Sequence, residues 1–272
     1  MNRIDQRFAD LKAAGRAGLI PFVTAGDPAP DAVVPLLHSL VAAGADLIEL
    51  GVPFSDPMAD GPVIQHASER ALLHGVGVRE IFTWVREFRE TDSTTPIILM
   101  GYLNPLEIYG RARFAADAVA AGVDGILLVD CPLEEFEYTR VLQDAGLRQI
   151  LLAAPTTAKT RLDALCEHAQ GFLYYVSFAG ITGADSLDLE SVRARVAVIK
   201  AQTQVPVAVG FGVRDAHSAV AIAGFADAVV IGSALVERLA GAETTQAACA
   251  RACQFLSPIR AALDATASDH AA

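Results

Sequence analysis

The stretch DLIELGVP, residues 46–53, is a short apolar run that ends in glycine and proline. Seven other runs of similar length share these features, with Gly, Pro, Asp or Asn at or near their ends. They are GLIPFVTAG (18–26), PIILMGYLN (96–104), GILLVDCP (125–132), RQILLAAP (148–155), FLYYVSFAG (172–180), PVAVGFGV (206–213) and DAVVIGSA (227–234). Apolar runs of this length, bounded by turn-forming residues, predict strands that are buried on both faces.

Helix-compatible segments lie between these runs, so predicted strands and helices alternate along the chain. Examples are DAVVPLLHSLVAAGA (31–45), VREIFTWVREF (78–88), GRARFAADAVAAG (110–122) and LESVRARVAVIKAQ (189–202). Because each such segment can connect two parallel strands, eight repeats can close into a (β/α)8 TIM barrel. We therefore predict an α/β fold with a single barrel domain over residues 1–272, a length that suits one such barrel. A doubly wound open sheet is the structural alternative.

Three segments depart from this regular spacing. The start of the chain, MNRIDQRFADLKAAG, has Ile4, Phe8 and Leu11 at helical spacing, which predicts an extra amphipathic helix before the barrel. The segment SDPMADGPVIQHASERALLHG follows the second predicted strand, and SFAGITGADSLDLE follows the sixth. Since the loops after the strands gather at the catalytic end of a barrel, we expect these extended loops to be lids or partner surfaces.

The composition favours a globular cytoplasmic protein. Hydrophobic residues make up 53% of the chain, yet no apolar run approaches the roughly 20 residues that span a bilayer, and the first residues do not resemble a secretion signal. The net charge of -11 argues against a nucleic-acid partner. The cysteines form no CxxC pair, so we expect free thiols in a reducing compartment; they are Cys131, Cys166, Cys249 and Cys253.

Two carboxylates, Glu49 and Asp60, flank the proline-broken turn after the second predicted strand. Burial at a strand end raises the pKa of a carboxyl group, which makes Glu49 a candidate general acid and base. The alternative for Glu49 is a carboxylate paired with arginine or bonded to backbone amides. Asp60 precedes glycine in MADGP, a sequence typical of turns in which the Asp side chain bonds local backbone amides.

Glycine-rich loops follow the last two predicted strands. GFGV contains Gly210 and Gly212, and IGSALVERL contains Gly232 and Ser233 at the start of a short predicted helix. Glycine lets backbone N–H groups approach an anion, and the loops after strands seven and eight are a recurrent phosphate site in such barrels. Gly183, after strand six, is a further candidate. Alternatively, these glycines relieve crowding at the strand ends.

The remaining titratable residues narrow the chemistry. The lysines, Lys12, Lys159 and Lys200, all lie in predicted helices or at helix starts, which disfavours a Schiff-base aldolase. The histidines show no metal-ligand grouping; they are His38, His66, His74, His168, His217 and His270. What remains is proton transfer by carboxylates on a phosphorylated substrate.

Several motifs, taken together and in order, closely resemble the α subunit of tryptophan synthase. They are PFVTAGDP, ELGVPFSDPMADGP, GYLNP, VDCP, YYVSFAGITG, GFGV and IGSALV, which extend from Phe22 to about Val236. The resemblance implies a retro-aldol cleavage of indole-3-glycerol phosphate to indole and glyceraldehyde 3-phosphate, without metal or organic cofactor in this chain. It also implies a β-subunit partner in an α2β2 complex, where pyridoxal phosphate in the β subunit joins the released indole to serine.

The resemblance also implies roles for individual residues. Glu49 would take the glycerol hydroxyl proton and help to protonate indole C3, and Asp60 would hold the indole N–H and stabilise positive charge on the ring. Thr182 and Gly183 would close the strand-six loop over the substrate. The indole pocket would be lined by Phe22, Met100, Leu127 and Phe211, with Tyr174 beside Asp60, and phosphate would be bound by Gly183, Gly212, Gly232 and Ser233. Some of the apolar members are alternatively ordinary barrel core.

The resemblance further implies a partner-facing surface, and three positions within the matched motifs depart from the common pattern. The surface would comprise the loop from Pro53 to Asp60 together with Asn104, Asp130 and Pro132. The departures are Met58 for a common leucine, Cys131 for a frequent valine and Phe178 where some relatives have arginine. Two other functions compete with the lyase: a non-catalytic barrel that activates a partner enzyme, and a sugar-phosphate isomerase on the same fold.

Overall fold

The structure is a computed structural model that describes residues 1–176, 189–210 and 212–269, with side chains described as far as residue 266. The described strands are β1 (Gly18–Thr24), β2 (Ile48–Gly51), β3 (Ile97–Gly101), β4 (Gly125–Leu128), β5 (Arg148–Gln149), β6 (Leu151–Ala153), β7 (Leu173–Val176), β8 (Val207–Gly210) and β9 (Ala228–Ile231). Each coincides with one of the apolar runs. The fifth run forms two short strands, β5 and β6.

All strand pairs are parallel, in the order β5-β4-β3-β2-β1-β9-β8-β7-β6. The two ends of this order, β5 and β6, are separated in the chain by Ile150 alone. Ile150 also donates its backbone N–H to the carbonyl of Ile126 on β4, at 2.8 Å. A single chain segment therefore passes from the β4 side to the β7 side and brings the sheet round to a nearly closed barrel. The barrel prediction is confirmed, and the doubly wound open sheet is wrong.

The helices surround this barrel. They are α1 (Arg3–Ala13), α2 (Val33–Ala42), α3 (Pro62–Leu73), α4 (Val78–Arg89), α5 (Leu103–Tyr109), α6 (Arg111–Ala121), α7 (Arg140–Asp144), α8 (Lys159–His168), α9 (Leu189–Lys200), α10 (Ala216–Ala223), α11 (Ser233–Leu239) and α12 (Thr245–Asp269). Two 3-10 helices cover Pro30–Ala32 and Leu133–Thr139. In the part of the chain that is described, no helix combines the length and apolar character needed to cross a bilayer.

Successive residues of each strand face opposite sides of the sheet, as the pleat requires. On β2, Ile48 and Leu50 pack into the large core between the sheet and the helices, whereas Leu47 belongs to a separate cluster inside the barrel. The strands are therefore buried on both faces, which explains why their sequences are apolar without alternation. The same alternation directs Glu49, between Ile48 and Leu50, into the barrel interior.

The N-terminal helix α1 closes one end of the barrel. Its buried residues Ile4, Phe8 and Leu11 belong to the cluster inside the barrel, and the ring of Phe8 lies 5.5 Å from that of Phe172, which immediately precedes β7. These contacts are made at the amino ends of the strands. The opposite end, where the strands finish and their loops begin, is left for a functional site.

Candidate active site

Glu49 occupies the middle of β2 and is fully enclosed. Its exposed fraction is 0%, and its register partners are Phe22 on β1 and Ile98 on β3. Neither carboxylate oxygen has a hydrogen-bond partner among the described residues. The alternative reading, in which an arginine or backbone amides hold this carboxylate, finds no support in that part of the chain. An acidic side chain is thus held in an apolar interior, two residues from the end of its strand.

Burial raises the pKa of the Glu49 carboxyl from its ordinary 4.5 to about 8. The physical cause is loss of hydration, which penalises the charged form, and no described donor offsets it. A carboxyl group with a pKa near neutrality can both give and take a proton at working pH. Glu49 therefore has the properties of a general acid and base.

Tyr174 on β7 lies inside the same barrel and is electrostatically coupled to Glu49. Burial, and secondarily the charge of Glu49, raises the pKa of the Tyr174 hydroxyl well above its usual value, so it stays a neutral hydroxyl. Its ring has room because Gly210 on β8 carries no side chain: a Cβ there would overlap the Tyr174 ring and hydroxyl. At Gly210, the reading that glycine relieves crowding is therefore correct.

Asp60 is hydrogen-bonded to Tyr102, the residue that follows β3. The Tyr102 hydroxyl donates to Asp60 Oδ2 at 3.1 Å and accepts the backbone N–H of Ala59 at 3.0 Å. The backbone carbonyl of Asp60 accepts from the Gln65 side chain at 2.8 Å. The Asp60 side chain is thus bonded to a neighbouring strand end, beyond the local turn. Burial raises the pKa of the Asp60 carboxyl, and the bond from Tyr102 opposes that rise.

A narrow cleft at the carboxyl ends of β1 to β4 joins Asp60 to the predicted indole pocket. Phe22 and Met100, both predicted to contact the indole, line it together with Asp60. Leu127 is fully buried inside the barrel, where it is the register partner of Met100. The other lining residues are Thr24, Gly51, Val52, Ile64, Ser68, Gly101, Tyr102 and Val129. Glu49 lies next to this cleft through its register pairing with Phe22.

The helices α3 and α11 enclose the cleft on the side of Phe22. Ala67 of α3 and Val236 of α11 pack in one cluster with Phe22. Because α3 begins two residues after Asp60 and Gly232 lies against Phe22, this packing brings the acidic loop and the last glycine loop towards the same aromatic side chain. Phe22 and Gly232, which were predicted to contact indole and phosphate, are therefore neighbours.

The predicted phosphate loops stand at the carboxyl ends of β8 and β9. Gly212 has a φ of 76°, a left-handed backbone conformation that glycine adopts without strain. Gly232 is the N-cap of α11, and a Cβ on it would point towards Phe22. Ser233, the first residue of this helix, is exposed. The first N–H groups of a helix have no acceptor within that helix, so this turn can donate to an anion.

Phe178, Thr182, Gly183 and Phe211 lie outside the described residues. Of the predicted partner-facing residues, Asn104, Asp130 and Pro132 are exposed, and Asp130 accepts the backbone N–H of Leu103 at 2.8 Å. Of the departures, Met58 is 86% exposed whereas Cys131 is buried.

The sequence interpretation did not single out Tyr102 or Thr24. Tyr102 stood within the GYLN motif, but only the fold shows that its hydroxyl meets Asp60 across 42 residues of sequence. Thr24, at the end of β1, is 3% exposed, and its hydroxyl has no hydrogen-bond partner in the described part of the chain. A polar residue ending an apolar strand beside the functional loops was the available signal for Thr24. Across the described ranges, no group of three or more His, Cys, Asp or Glu side chains is arranged to hold a metal ion.

Comparisons with known proteins agree with this geometry. Residues 8–263 match the family model described as "Tryptophan synthase alpha chain". The chain is 60% identical over 266 residues to a tryptophan synthase alpha chain of Xylella fastidiosa (strain M12), which covers 97% of this chain and 99% of that relative. It is 58% identical, with the same coverage, to one of Xanthomonas oryzae pv. oryzae (strain MAFF 311018). A crystal structure of tryptophan synthase subunit alpha from Legionella pneumophila str. Paris superimposes with a TM-score of 0.91 at 46% identity, over 97% of this chain and 99% of that one.

Proposed function

Because the chain belongs to the tryptophan synthase alpha chain family, we propose that Glu49 and Asp60 carry out the cleavage for which this family is known. The chain is a carbon–carbon lyase of tryptophan biosynthesis: it splits indole-3-glycerol phosphate into indole and glyceraldehyde 3-phosphate by a retro-aldol reaction. The observation that carries the assignment of Glu49 is its enclosed carboxyl group with a pKa of about 8, next to Phe22 of the cleft.

Glu49 acts first as an acid and then as a base. At neutral pH it is mostly protonated, and it gives this proton to indole C3, which leaves positive charge on the ring nitrogen. The resulting carboxylate takes the proton of the hydroxyl on the carbon attached to C3. The carbon–carbon bond then breaks, its electron pair restores the neutral indole ring, and the hydroxyl carbon becomes the aldehyde. Glu49 ends the reaction protonated, as it began.

Asp60 stabilises the charge that develops on the ring. Its carboxylate would accept the indole N–H, at which positive charge appears when C3 is protonated. Tyr102 supports this role, because its hydroxyl donates to one carboxylate oxygen and so fixes the Asp60 side chain. The same bond opposes the rise in the pKa of Asp60 that burial causes. The other oxygen of Asp60 is then the acceptor for the substrate.

The remaining contacts hold the substrate. Phe22 and Met100 would pack against the indole ring in the cleft, while Leu127 and Tyr174 form the barrel interior beneath it. Gly212, Gly232 and Ser233 would bind the phosphate, and the backbone amides and helix start described above support this assignment. Gly183 would add a further contact. Thr182 and Phe211 are proposed from the family resemblance alone.

We further propose the setting in which the chain works. The family implies a β-subunit partner, and we infer an α2β2 complex that contacts the loop from Pro53 to Asp60 together with Asn104, Asp130 and Pro132. Pyridoxal phosphate would reside in that partner, with no metal or organic cofactor in this chain. We also propose that residues 1–272 form one domain and that the protein is cytoplasmic.

An indole-release assay tests this function. The purified chain, with and without a β subunit, is given indole-3-glycerol phosphate, and we expect indole and glyceraldehyde 3-phosphate in equal amounts. Glu49→Gln should lose cleavage by several orders of magnitude yet still bind a non-cleavable indole-alkyl phosphate, because the amide keeps the shape but cannot transfer the proton. No indole from the unmodified chain with the β subunit present would end the lyase assignment. Full activity of Glu49→Gln would disprove the role of Glu49.

The indole-alkyl phosphate also separates the lyase from a sugar-phosphate isomerase, since a small sugar site excludes the ring. Partner activation that persists in a Glu49, Asp60 double variant, without any indole release by the original chain, would instead favour a non-catalytic activator.

A further inference from the structure

A second cleft lies outside the barrel, between the start of α10 and the helices α11 and α12. Arg214, Arg238 and Arg251 line it, and Phe255, Pro258 and Ile259 form an apolar wall. Its volume is about 520 Å³, which is enough for a small organic molecule. Gly212, Gly232 and Ser233, proposed above for the substrate phosphate, are not among its lining residues.

The arginines Arg238 and Arg251 are held by neutral acceptors. Arg238 donates to the carbonyl of Ala234 at 3.2 Å, and Arg251 donates to the carbonyls of Arg238 at 3.2 Å and Ala240 at 2.9 Å. Over the described ranges, neither arginine forms an ion pair with a carboxylate. Their positive charge is therefore fixed in position but not neutralised.

The carboxylate that lines the cleft, Asp215, is hydrogen-bonded to Ser218. As the N-cap of α10, it accepts the backbone N–H and the hydroxyl of Ser218, both at 2.8 Å. These bonds lower the pKa of the Asp215 carboxyl, so it keeps its negative charge. Arg238 and Arg251 outnumber this one carboxylate, and the cleft is therefore locally positive in a chain whose net charge is -11. A positive, partly apolar cleft on a negative protein concentrates small anions from solution.

The apolar wall restricts the ligand further. The Arg238 guanidinium lies over the Phe255 ring, 4.2 Å from its centroid, and Ile259 and Pro258 continue the wall along α12. We propose that this cleft binds a small organic anion, whose phosphate or carboxylate group pairs with Arg238 and Arg251 and whose apolar body packs against Phe255 and Pro258. Arginine suits this role because its planar donors match phosphate and carboxylate oxygens in pairs.

The test is a titration of the full-length chain with phenyl phosphate, followed by NMR of methyl-labelled isoleucines. Ile259 reports on the proposed cleft, and Ile64, which lines the substrate cleft, reports on binding there. We expect a saturable shift of the Ile259 methyl signal that weakens as salt is added, because the arginines face solvent. A parallel titration with phenylacetate shows whether a carboxylate serves as well as a phosphate.

Two variants decide whether the arginines are responsible. Arg238→Gln should weaken binding at Ile259 about tenfold, through loss of one charge-assisted contact. Arg113→Gln is the matched control, because Arg113 lies on α6, pairs with Asp117 and should leave binding unchanged. If Arg238→Gln disturbs folding, Arg251→Gln replaces it.

Two results would overturn the proposal. In one, phenyl phosphate and phenylacetate shift only Ile64, so anions bind at the substrate cleft alone. In the other, the Ile259 signal responds equally in the cleft variant and in Arg113→Gln, so the arginines do not hold the anion. The cleft would bind its ligand whether or not Glu49 and Asp60 act as proposed, so neither result affects the lyase assignment.

Discussion

At the scale of single residues, the protonation of Glu49 depends on its surroundings more than on its own chemistry. The side chain is enclosed by the barrel, and no described donor compensates for its lost hydration. The same carboxyl group on the surface would be ionised at neutral pH and could not deliver a proton. Its reactivity is therefore a property of the site that the strands build around it.

This burial should appear in the pH dependence of stability. The folded state retains a proton on Glu49 between pH 4.5, the ordinary pKa, and about 8, the raised one, whereas the unfolded chain releases it. The free energy of unfolding of the wild type should therefore fall relative to Glu49→Gln by about 1.4 kcal/mol per pH unit across this window and level off above it. Urea unfolding of both proteins, at three pH values within the window and one above it, measures the difference. A constant difference across the window would show that Glu49 is not buried in this way.

The bond between Tyr102 and Asp60 gives a second prediction at this scale. Tyr102→Phe removes the hydroxyl that donates to Asp60 Oδ2 and opposes the rise in its pKa. We expect kcat/KM for indole-3-glycerol phosphate to fall tenfold to roughly a hundredfold, and the acidic limb of its pH profile to move to higher pH.

The control for this prediction is Tyr138→Phe, since Tyr138 is partly exposed and packs on Arg111 away from the cleft. An unchanged acidic limb in Tyr102→Phe would mean that Tyr102 only packs against its neighbours and does not tune Asp60.

At the scale of secondary-structure elements, the glycines that end β8 and β9 serve different needs. Gly210 leaves space for the ring of Tyr174, whereas a Cβ on Gly232 would meet Phe22 at 3.7 Å, an ordinary contact. The sequence interpretation placed both residues in phosphate loops and allowed crowding as the alternative. The structure supports crowding at Gly210, whereas a side chain at Gly232 would not be crowded and its phosphate role stays a prediction.

Two alanine substitutions distinguish these roles. Gly210→Ala should lower the free energy of unfolding by about 1–3 kcal/mol, because the new methyl group overpacks the barrel interior. Tyr174→Phe in the same chain should restore part of this loss, since the hydroxyl is the nearest atom to the added methyl group. Gly232→Ala should change stability less and instead raise KM.

Thermal or urea unfolding, together with steady-state kinetics, measures these effects. Equal losses of stability in the two alanine variants would contradict the distinction between Gly210 and Gly232.

At the scale of the whole molecule, the last helix is fastened to the start of β2 by a buried ion pair. Arg260 of α12 donates to Asp46 Oδ2 at 3.0 Å and to the carbonyl of Ala17 at 3.1 Å, and the same Asp46 oxygen accepts the backbone N–H of Leu19. Arg260 and Asp46 are separated by 214 residues of sequence, and both are buried. This pair joins the end of the chain to its first two strands.

Removal of one member should therefore affect the whole fold. Arg260→Ala leaves Asp46 buried without its cation and should cost about 3–5 kcal/mol of unfolding free energy. Adding Asp46→Asn should return part of that loss, because the buried charge disappears. Arg113→Ala, at an exposed pair with Asp117, is the control and should have little effect. Urea unfolding tests all three, and a small loss in Arg260→Ala would show that this pair does not hold α12.

The sequence by itself determined the elements and the candidate residues. Eight apolar runs with turn residues between them predicted the strands, because a strand that is buried on both faces of its sheet is apolar at nearly every position. The motifs around Glu49, Asp60 and the late glycines were sufficient to suggest the family. The sequence did not predict that Tyr102 is the hydrogen-bond donor to Asp60, since the two residues meet only when β2 and β3 lie side by side.

The tertiary structure alone decided the environments. Whether Glu49 faced the interior depended on the pleat of β2 and on closure of the barrel, and its pKa of about 8 follows from that enclosure. Likewise, Arg238 and Arg251 are unremarkable in the sequence and become a positive cleft only where α11 and α12 pack together. Local patterns record which conformation each segment prefers. Burial, charge and contact arise between segments distant in sequence, and so they exist only in the folded chain.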